Sequence, residues 1–362
     1  MKVLFDCRYT RFPRHDGISR YGARLVEELA KLHPDVTMLI NDERQLPMLP
    51  DLPWVMGPSP TSPGEPWIAR RINRLQPDIV FTPMQTMGPL GRRYAMVTTI
   101  HDLIYYTHRT PPRDLPLFVR GLWRVYHLWH GFQRGVLNLS DAHAASSETT
   151  RQLMLRHRMS RHPIRTIWLG ADVPDGVPTR TEAPTTRELV YMGSFMPYKN
   201  VELLARGMHE LPGWTLHLMS KVTPENRRRI TALAPEGALV FHNGASDEEY
   251  VATLARATAL VTASREEGFG LPVVEALGVG TPTVVSDIPI FREIAGEQAG
   301  FFDPDDPASF AAAVRELEDP REWLRRSALA KGHAGAFTWE RAGRQLLELL
   351  QETVDSYRAQ RR

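Results

Sequence analysis

Short apolar segments of β-forming residues alternate along the whole chain with longer segments of helical periodicity. This alternation is typical of parallel α/β sheets, in which helices connect successive strands, rather than of β-sandwiches or helical bundles. The strands predicted in the first half are Lys2–Asp6, Val36–Ile40, Asp78–Thr82, Met96–Ile100, Ala142–Ser146 and Ile164–Trp168. Those predicted in the second half are Leu189–Met192, Thr215–Met219, Leu239–Phe241, Ala259–Thr262 and Thr283–Val285. Each series can close a sheet of its own.

The segments between the predicted strands contain the other predicted elements. The helices of the first half are predicted over Ser19–Lys31, Trp67–Leu75, Leu115–Leu137 and Glu148–Arg158. The polar, proline-containing stretch Pro47–Pro66 is predicted to be a long loop. Apolar residues recur at helical spacing over Trp339–Tyr357, which predicts a final amphipathic helix.

The length of the chain favours two domains. At 362 residues it exceeds the usual size of a single hydrophobic core. We expect one Rossmann-like domain over residues 1–170 and a second over residues 187–339, with a cleft between them. Residues 171–186 are rich in Pro, Gly, Thr and charge, and are predicted to be the linker.

Composition excludes several classes of protein. With 44 basic and 42 acidic residues the net charge is only +2, which does not argue for nucleic acid as a partner. The single cysteine, Cys7, cannot form an intramolecular disulfide and is predicted to be a buried thiol. Asp6 and Arg8 interrupt the apolar core that a signal peptide needs, and no later apolar run reaches the ~18 residues of a membrane span. We therefore expect a cytoplasmic protein.

The segment Ser264–Gly280 carries the clearest functional pattern. The predicted strand Ala259–Thr262 runs into a glycine-containing loop, Gly268–Gly270, and a helix then begins at Pro272, where the missing N–H of proline costs nothing. Such a loop directs backbone amides and the positive end of the helix dipole at one place, where a pyrophosphate is the natural ligand. An ordinary strand–loop–helix crossover is the alternative, because Val273 leaves the dinucleotide pattern Gly-x-Gly-x-x-Gly incomplete.

Charged and polar residues flank this and other strand ends. Glu267 precedes the helix and Glu275 is expected on its first turn, so their carboxylates can accept hydrogen bonds from a polyol such as a sugar or ribose. In the first half, His101 follows a predicted strand at its carboxyl end, which is where α/β sheets bind ligands. Gly17 precedes the first helix and allows either a close approach to phosphate or simply a turn.

With these residues in place, the chain resembles glycosyltransferase family 4. The string Glu-x7-Glu from Glu267 to Glu275 is followed by Gly280–Ser286 and by Glu293. Weaker matches occur in the family's order: Gly17–Tyr21, His101-Asp102, Ser146–Thr149, Leu169–Asp172, Tyr191–Asn200, Gly244 and Phe337–Trp339. The resemblance implies the GT-B fold, in which two Rossmann-like domains with parallel sheets face a central cleft. It also implies that the final helix, residues 340–362, packs back on the first domain.

The resemblance assigns roles residue by residue. Glu267 would hold hydroxyls of the donor sugar and Glu275 those of the ribose, while Lys199 would neutralise the diphosphate. His101 would contact the donor sugar near its reacting carbon. The other expected donor-binding residues are Gly17, Gly193, Ser194, Gly268, Phe269, Gly270 and Leu271. Ser194 and Tyr198 stand where many relatives have basic residues, which leaves the site one or two charges lighter.

The activity implied by the resemblance is that of a retaining glycosyltransferase. It would transfer a hexose from a nucleotide-diphosphate sugar to a hydroxyl of a glycan or lipid-linked acceptor, with neither a metal nor a cofactor. GDP-mannose ranks first as donor because the segment from Gly193 to Asn200 looks closest to that of mannosyltransferases, which places the chain in polysaccharide biosynthesis. A sugar-nucleotide epimerase, a phosphorylase or a non-catalytic two-lobed sugar-binding protein are the alternatives.

A second partner is suggested by residues 113–134, where arginines alternate with large aromatic residues. Such a helix can contact an anionic membrane at the inner face, where a lipid-linked acceptor would lie. A core helix of the first domain with solvated arginines is the alternative that the sequence favours.

Overall fold

The computed structural model describes residues 1–108, 120–121, 129–172 and 180–361. It divides into two compact units. The N-terminal unit comprises Met1–Gly170 together with Trp339–Arg362, and the C-terminal unit comprises Ala171–Thr338. Among the described residues, no helix combines the length and the apolar character needed to cross a membrane.

The N-terminal unit is built on a seven-stranded parallel sheet in the order β3-β2-β1-β4-β5-β6-β7. Its strands are β1 Val3–Asp6, β2 Val36–Ile40, β3 Trp54–Met56, β4 Ile79–Thr82, β5 Ala95–Ile100, β6 Ala142–Ala145 and β7 Ile164–Thr166. Its helices before the linker, within the described residues, are α1 Gly17–Leu32, α2 Ile68–Ile72, α3 Ile104–Thr107, α4 Gly131–Leu137 and α5 Glu148–Arg156. Short 3-10 helices cover Glu43–Met48, Glu65–Trp67 and Asn73–Leu75.

Buried charges fix the end of β1. The guanidinium of Arg8 donates to Asp6 at 2.8 and 3.0 Å and to Glu65 at 2.7 and 2.8 Å, and all three side chains are buried. A buried guanidinium is tolerated because both neighbouring carboxylates are held in bidentate pairs. The charges that interrupt the first apolar segment of the sequence are therefore satisfied inside the N-terminal unit.

The C-terminal unit contains a six-stranded parallel sheet in the order β10-β9-β8-β11-β12-β13. Its strands are β8 Glu188–Tyr191, β9 Thr215–Leu218, β10 Leu239–Phe241, β11 Ala259–Thr262, β12 Thr283–Ser286 and β13 Gly300–Phe302. Its helices are α6 Val201–Gly207, α7 Pro224–Thr231, α8 Asp247–Arg256, α9 Leu271–Gly278, α10 Pro289–Ala295, α11 Pro307–Arg315 and α12 Pro320–Ala334. Further 3-10 helices cover Pro197–Lys199, Met208–Glu210, Gly296–Gln298 and Glu316–Glu318.

The predicted α/β class and its parallel sheets are confirmed, and two short strands correct the sequence prediction. The stretch Pro47–Pro66 is not only a loop, because β3 lies within it and pairs with β2. Similarly, β13 was not predicted. Both are three-residue strands at sheet edges, where one neighbouring strand rather than a run of apolar residues fixes the conformation.

The final helix, α13 over Trp339–Ala359, packs on α1 within the N-terminal unit. Leu346, Leu350 and Val354 of its apolar stripe are buried. The two helices approach so closely that a Cβ at Gly343 would lie 2.6 Å from Cβ of Glu28. Arg358 pairs with Asp78 at 2.6 Å.

The predicted helix Leu115–Leu137 falls largely outside the described residues, since 109–119 and 122–128 are not described. Its described part ends in α4. There Trp129 and Phe132 are 68% and 60% exposed, while Gln133 and Leu137 are buried. The end of the segment thus has an aromatic exposed face and a core face.

Candidate functional site

The loop from β11 to α9 contains the predicted donor-binding residues Gly268, Phe269 and Gly270, and Leu271 is the first residue of α9. Gly270 has φ +98° and ψ 55°, a conformation that favours glycine. A Cβ on Gly270 would lie 3.0 Å from Ile294 and 3.1 Å from Phe291. Phe269 is buried, and its ring stacks edge-to-face against Phe337 with centroids 5.9 Å apart. The loop is therefore fixed from both sides, and α9 begins directly after it.

Lys199 and Glu267 lie together, although 68 residues separate them in sequence. The ammonium of Lys199, at the end of the 3-10 helix Pro197–Lys199, donates to Oε1 of Glu267, and each side chain is only 15% exposed. The same ammonium lies 5.4 Å from the centre of the Tyr198 ring, within the range of a cation–π contact. Tyr198, where the family resemblance predicts a basic residue, thus contributes to holding Lys199.

Glu275 lies on α9, but not on its first turn. Because the helix begins at Leu271, Glu275 is its fifth residue, which corrects the sequence prediction. Its side chain is buried, with the residue 8% exposed. The structure therefore presents one carboxylate before the helix and one buried carboxylate within it.

Gly193 and Ser194 follow β8 and are held by hydrogen bonds. The amide of Gly193 donates to Oγ of Ser220 at 3.1 Å, and the hydroxyl of Tyr191 donates to the carbonyl of Ser194 at 2.6 Å. Burial, and then the negative charge of Glu267, raise the pKa of Tyr191 well above its usual value, so its hydroxyl stays a donor. A Cβ at Gly193 would lie 2.7 Å from that hydroxyl, so a larger residue would displace it.

Sequence reasoning did not find the residues that position Glu267. Ser286, at the end of β12, donates through its hydroxyl to the carbonyl of Ser264, and Oγ of Ser264 lies 3.5 Å from Oε1 of Glu267. The amide of Arg265 donates to the carbonyl of Tyr198 at 2.8 Å, which joins this loop to the segment of Lys199. Serines at the carboxyl ends of two adjacent strands were the available signal, since such ends meet at one edge of the sheet.

In the N-terminal unit, the predicted residues lie at the ends of α1 and β5. Gly17 is the first residue of α1, and Asp16 caps the helix by accepting from the amide of Ser19 at 2.9 Å. His101 follows β5, and its Nε2 lies 2.8 Å from the carbonyl oxygen of Pro83. Because a carbonyl only accepts, Nε2 carries the proton.

The electrostatic environment keeps His101 neutral. Burial lowers its pKa below the ordinary value for histidine, against smaller opposing effects of the Pro83 carbonyl and Asp16. The ring packs edge-to-face against Tyr21 with centroids 4.9 Å apart. In the neutral tautomer that the Pro83 carbonyl selects, Nδ1 is a hydrogen-bond acceptor.

The chain has two Rossmann-like units with parallel sheets, and the C-terminal unit carries a glycine loop beside a paired lysine and glutamate. These features define a GT-B glycosyltransferase. Comparison with known proteins gives the family. The model of Glycosyltransferase Family 4 matches residues 15–174, and that of Glycosyl transferases group 1 matches residues 179–331. The chain belongs to glycosyltransferase family 4.

Similar proteins include two mannosyltransferases. The serotype-specific mannosyltransferase WbdA of Escherichia coli is 29% identical over 272 residues, which cover 67% of this chain and 32% of WbdA. The chain thus spans about a third of the WbdA proteins that it matches. The MMP α-(1→4)-mannosyltransferase of Mycolicibacterium hassiacum is 26% identical over 277 residues, or 72% of this chain and 66% of that protein.

Solved structures share the fold over nearly the whole chain. Sucrose-phosphate synthase from Thermosynechococcus elongatus has a TM-score of 0.75 at 19% identity, covering 98% of this chain and 99% of that one. HepE of Anabaena, in complex with UDP and glucose, has a TM-score of 0.70 at 16% identity, covering 97% of this chain and 99% of that one.

Proposed function

We propose that this chain is a retaining glycosyltransferase that transfers a hexose, with mannose from GDP-mannose as the first candidate, to a hydroxyl of a glycan or lipid-linked acceptor. The observation that carries the proposal is the direct pairing of Lys199 with Glu267 beside the glycine loop. In a nucleotide sugar, the diphosphate and the sugar ring are joined through one oxygen. A cation and a carboxylate in contact are therefore suited to bind the two sides of the bond that breaks.

The proposed roles follow from charge. As the glycosidic bond breaks, the leaving nucleoside diphosphate gains negative charge, which Lys199 and the amino end of α9 would stabilise. Positive charge grows at the anomeric carbon, where the carboxylate of Glu267 is favourable. The acceptor hydroxyl attacks on the face that the diphosphate leaves, and its proton passes to the leaving phosphate. Glu275 would bind ribose hydroxyls.

Donor binding must rearrange the paired residues. The Lys199 ammonium is engaged by Glu267 in the structure. We propose that the donor's diphosphate takes over Lys199, while sugar hydroxyls donate to the released carboxylate of Glu267. Lys199 keeps an anionic partner in such an exchange, and the carboxylate of Glu267 keeps hydrogen-bond donors. Lys199 and the amino end of α9 would take the place of a metal ion, and we propose a metal-independent reaction.

The identity of the donor rests on similarity to other proteins. The two relatives reported above are named mannosyltransferases, which supports mannose, whereas HepE was solved with UDP and glucose. A thermal-shift panel of GDP-mannose, UDP-glucose, UDP-N-acetylglucosamine and dTDP-sugars tests the ranking. We expect GDP-mannose to raise the melting temperature most, and a larger shift with a uridine or thymidine donor would contradict it.

A sugar-nucleotide epimerase or a sugar-binding protein would behave differently. An epimerase changes the sugar without releasing nucleoside diphosphate from it, apart from side reactions, and a binding protein leaves the donor intact. Incubation with GDP-mannose labelled in the sugar, followed by separation of GDP from labelled product, distinguishes the three. We expect GDP and labelled product to form in equal amounts.

We also propose a peripheral contact with an anionic membrane at the inner face, next to a lipid-linked acceptor. Trp129, Phe132 and Leu155 are exposed large apolar residues, and Arg134 and Arg156 are exposed nearby. The stacking of His130 on His157, with centroids 4.4 Å apart, brings α4 and the end of α5 together. Exposed aromatic residues among arginines are typical of surfaces that bind the interface of an anionic bilayer.

A further inference from the structure

The C-terminal unit contains two histidines in direct contact, with a carboxylate at each end of the pair. Nδ1 of His217 lies 3.0 Å from Nε2 of His242, and Nδ1 of His242 lies 2.6 Å from Oε1 of Glu249. At the other end, Nε2 of His217 lies 3.9 Å from Oε1 of Glu188. The four side chains thus form a line that runs from α8 through the end of β10 and through β9 to the start of β8.

His217 is buried although it is polar. It is the third residue of β9 and lies between Leu216 and Leu218, which belong to the hydrophobic core of the unit. Within the described part of the chain, its Nε2 is a buried atom without a hydrogen-bond partner. A bare lone pair on that nitrogen would face the negative charge of Glu188, whereas a proton there would be attracted by it. The position of this atom therefore favours a protonated Nε2.

Two arrangements of protons fit this line. A carboxylate only accepts, so Nδ1 of His242 carries a proton toward Glu249 in both. If His242 is neutral, its Nε2 accepts from Nδ1–H of His217, and Nε2 of His217 is left as a lone pair. If His242 is charged, its Nε2–H donates to Nδ1 of His217, and the proton of His217 is then on Nε2, toward Glu188. Only the second arrangement places a proton in each of the three gaps along the line.

One proton from solvent is enough to convert the first arrangement into the second. It binds at Nε2 of His217, while the proton on Nδ1 of His217 passes to Nε2 of His242. His217 is neutral before and after this step, and the positive charge appears on His242. The tautomer of His217 therefore reports whether the line has taken up its proton.

Charged groups of the neighbouring elements bear on this arrangement. Burial lowers the pKa of His217, while Glu188 opposes this effect and His242 and Arg256 add to it, so His217 is not the ring that holds the charge. Arg256 pairs with Glu188 at 3.1 Å, but its side chain is 49% exposed, so solvent screens it. Other charged side chains of these segments are Asp247 and Glu248 in the first turn of α8, Lys221 beside Gly244, and Arg227 over the ring of Phe241. These two acids and two bases balance in sign, which leaves Glu249 and Glu188 as the charges in line with the rings.

We propose that Glu188, His217, His242 and Glu249 form a pH-sensitive clamp, in which one added proton ties α8 and the end of β10 to β9 and β8. At acid pH every gap of the line holds a proton. When the proton leaves, the remaining proton of His217 returns to Nδ1, and its Nε2 faces Glu188 as a lone pair. The clamp is therefore closed at acid pH and weakened at alkaline pH.

The clamp acts on a loop at the carboxyl edge of the sheet. Directly after His242, the amides of Gly244 and Ala245 both donate to the carbonyl of Met219 at 3.0 Å, which folds the loop over the end of β9. The same edge of the parallel sheet carries the glycine loop after β11. Ligands of α/β sheets bind at this edge, so the clamp links pH to the side of the unit where the donor is proposed to bind. Its protonation does not depend on the proposed function.

The test is ¹⁵N NMR of the histidine rings in the full chain, at about one pH unit below and two units above the ordinary histidine pKa of ~6.5. Protonated and bare ring nitrogens have well separated shifts, and the signals are assigned through His217→Gln and His242→Gln. At the lower pH we expect protons on both nitrogens of His242 and on Nε2 of His217. At the higher pH we expect a proton on Nδ1 of each ring. If His217 keeps one tautomer at both pH values, or takes a second proton before His242 does, the proposal is overturned.

Glu188→Gln tests the end of the line beside His217. The substitution keeps the shape of the side chain and removes the charge that faces Nε2 of His217, so the pH at which the tautomer changes should fall by about one unit. Glu340→Gln, which changes an exposed glutamate of the N-terminal unit, is the control and should leave that pH unchanged. An unchanged transition in Glu188→Gln would contradict the role of Glu188.

The link to the loop is read from the backbone amide of Gly244. In wild type its signal should change over the same pH range as the tautomer of His217, and in His242→Gln this change should be lost. A Gly244 signal that stays constant while His217 changes tautomer would contradict the clamp's hold on the loop.

Discussion

Replacing Glu267 by glutamine should separate catalysis from nucleotide binding. The substitution keeps the shape of the side chain and removes the charge that pairs with Lys199. If Glu267 acts on the positive charge that grows at the anomeric carbon, kcat should fall by ~10²-fold or more. Binding of free nucleoside diphosphate should not weaken, because Lys199 no longer has to leave a carboxylate.

The expected change in affinity for free nucleoside diphosphate follows from the contact between Lys199 and Glu267. With both side chains 15% exposed, the interaction is partly shielded from solvent, and releasing Lys199 is worth about 1 kcal/mol, or up to about fivefold tighter binding of diphosphate. The same loss should lower the stability of the free protein by about 1–2 kcal/mol, because a partly buried ammonium is left without its carboxylate. Glu275→Gln should instead weaken free nucleoside diphosphate by about 1–3 kcal/mol, through loss of a charged hydrogen bond to ribose.

The assay combines calorimetry with free GDP and steady-state kinetics, on protein shown by melting to be folded. Glu236→Gln, an exposed glutamate of the same unit, is the matched control and should match wild type in both measurements. If Glu267→Gln and Glu275→Gln lose GDP affinity equally, the assigned roles are wrong. A fully active Glu267→Gln would remove the basis for placing the reaction beside Lys199.

Three further predictions concern metal, pH and membranes. Because Lys199 and the amino end of α9 are proposed to carry the diphosphate charge, turnover should survive EDTA, and a complete loss restored by Mn²⁺ would refute this. Burial lowers the pKa of His143 to about 3 in the folded protein. The unfolded chain, in which this histidine has its ordinary pKa of ~6.5, therefore binds more protons at acid pH, and the free energy of unfolding should fall by about 1.6 kcal/mol between pH 6.5 and pH 5. Urea unfolding at both pH values measures this loss, and His143→Gln with an unchanged pH slope would contradict it. Sedimentation with vesicles should show binding to phosphatidylglycerol but not to phosphatidylcholine, and the double variant Trp129→Ala, Phe132→Ala should bind less. Binding to both lipids alike, or to neither, would exclude the membrane contact.

Much of the fold could be predicted from the sequence because central strands of parallel sheets are continuous apolar runs. The predicted bounds of β2, β10 and β11 match the structure, and those of β1 and β4 differ by one residue. The edge strands β3 and β13 were missed, although the equally short edge strand β10 was predicted, because β3 lies in a proline-containing stretch and β13 begins with a glycine. Both residue types are depleted in strands. Because α9 starts at Leu271 rather than at the predicted Pro272, Glu275 lies just beyond the first turn.

Predictions for the site had a similar limit. The order of motifs selected Lys199 and Glu267, but nothing in the sequence shows that they contact each other across 68 positions. A hydrogen bond from Nε2 of Gln133 to Oε1 of Gln85 is a second such contact, between a helix and a loop 48 residues apart. Residue types and local spacing reveal candidate ligands, whereas pairing between distant segments depends on how the strands are ordered in the sheet.

The central claim, that the site of Lys199 and Glu267 transfers a sugar from a nucleotide, is tested most directly by nucleotide release. Wild type and Glu267→Gln are incubated with each donor of the panel, and free nucleoside diphosphate is quantified by chromatography. We predict release by wild type from one donor, GDP-mannose before the others, and release reduced ~10²-fold or more in Glu267→Gln. Release at equal rates by both proteins, or none from any donor, would contradict the account.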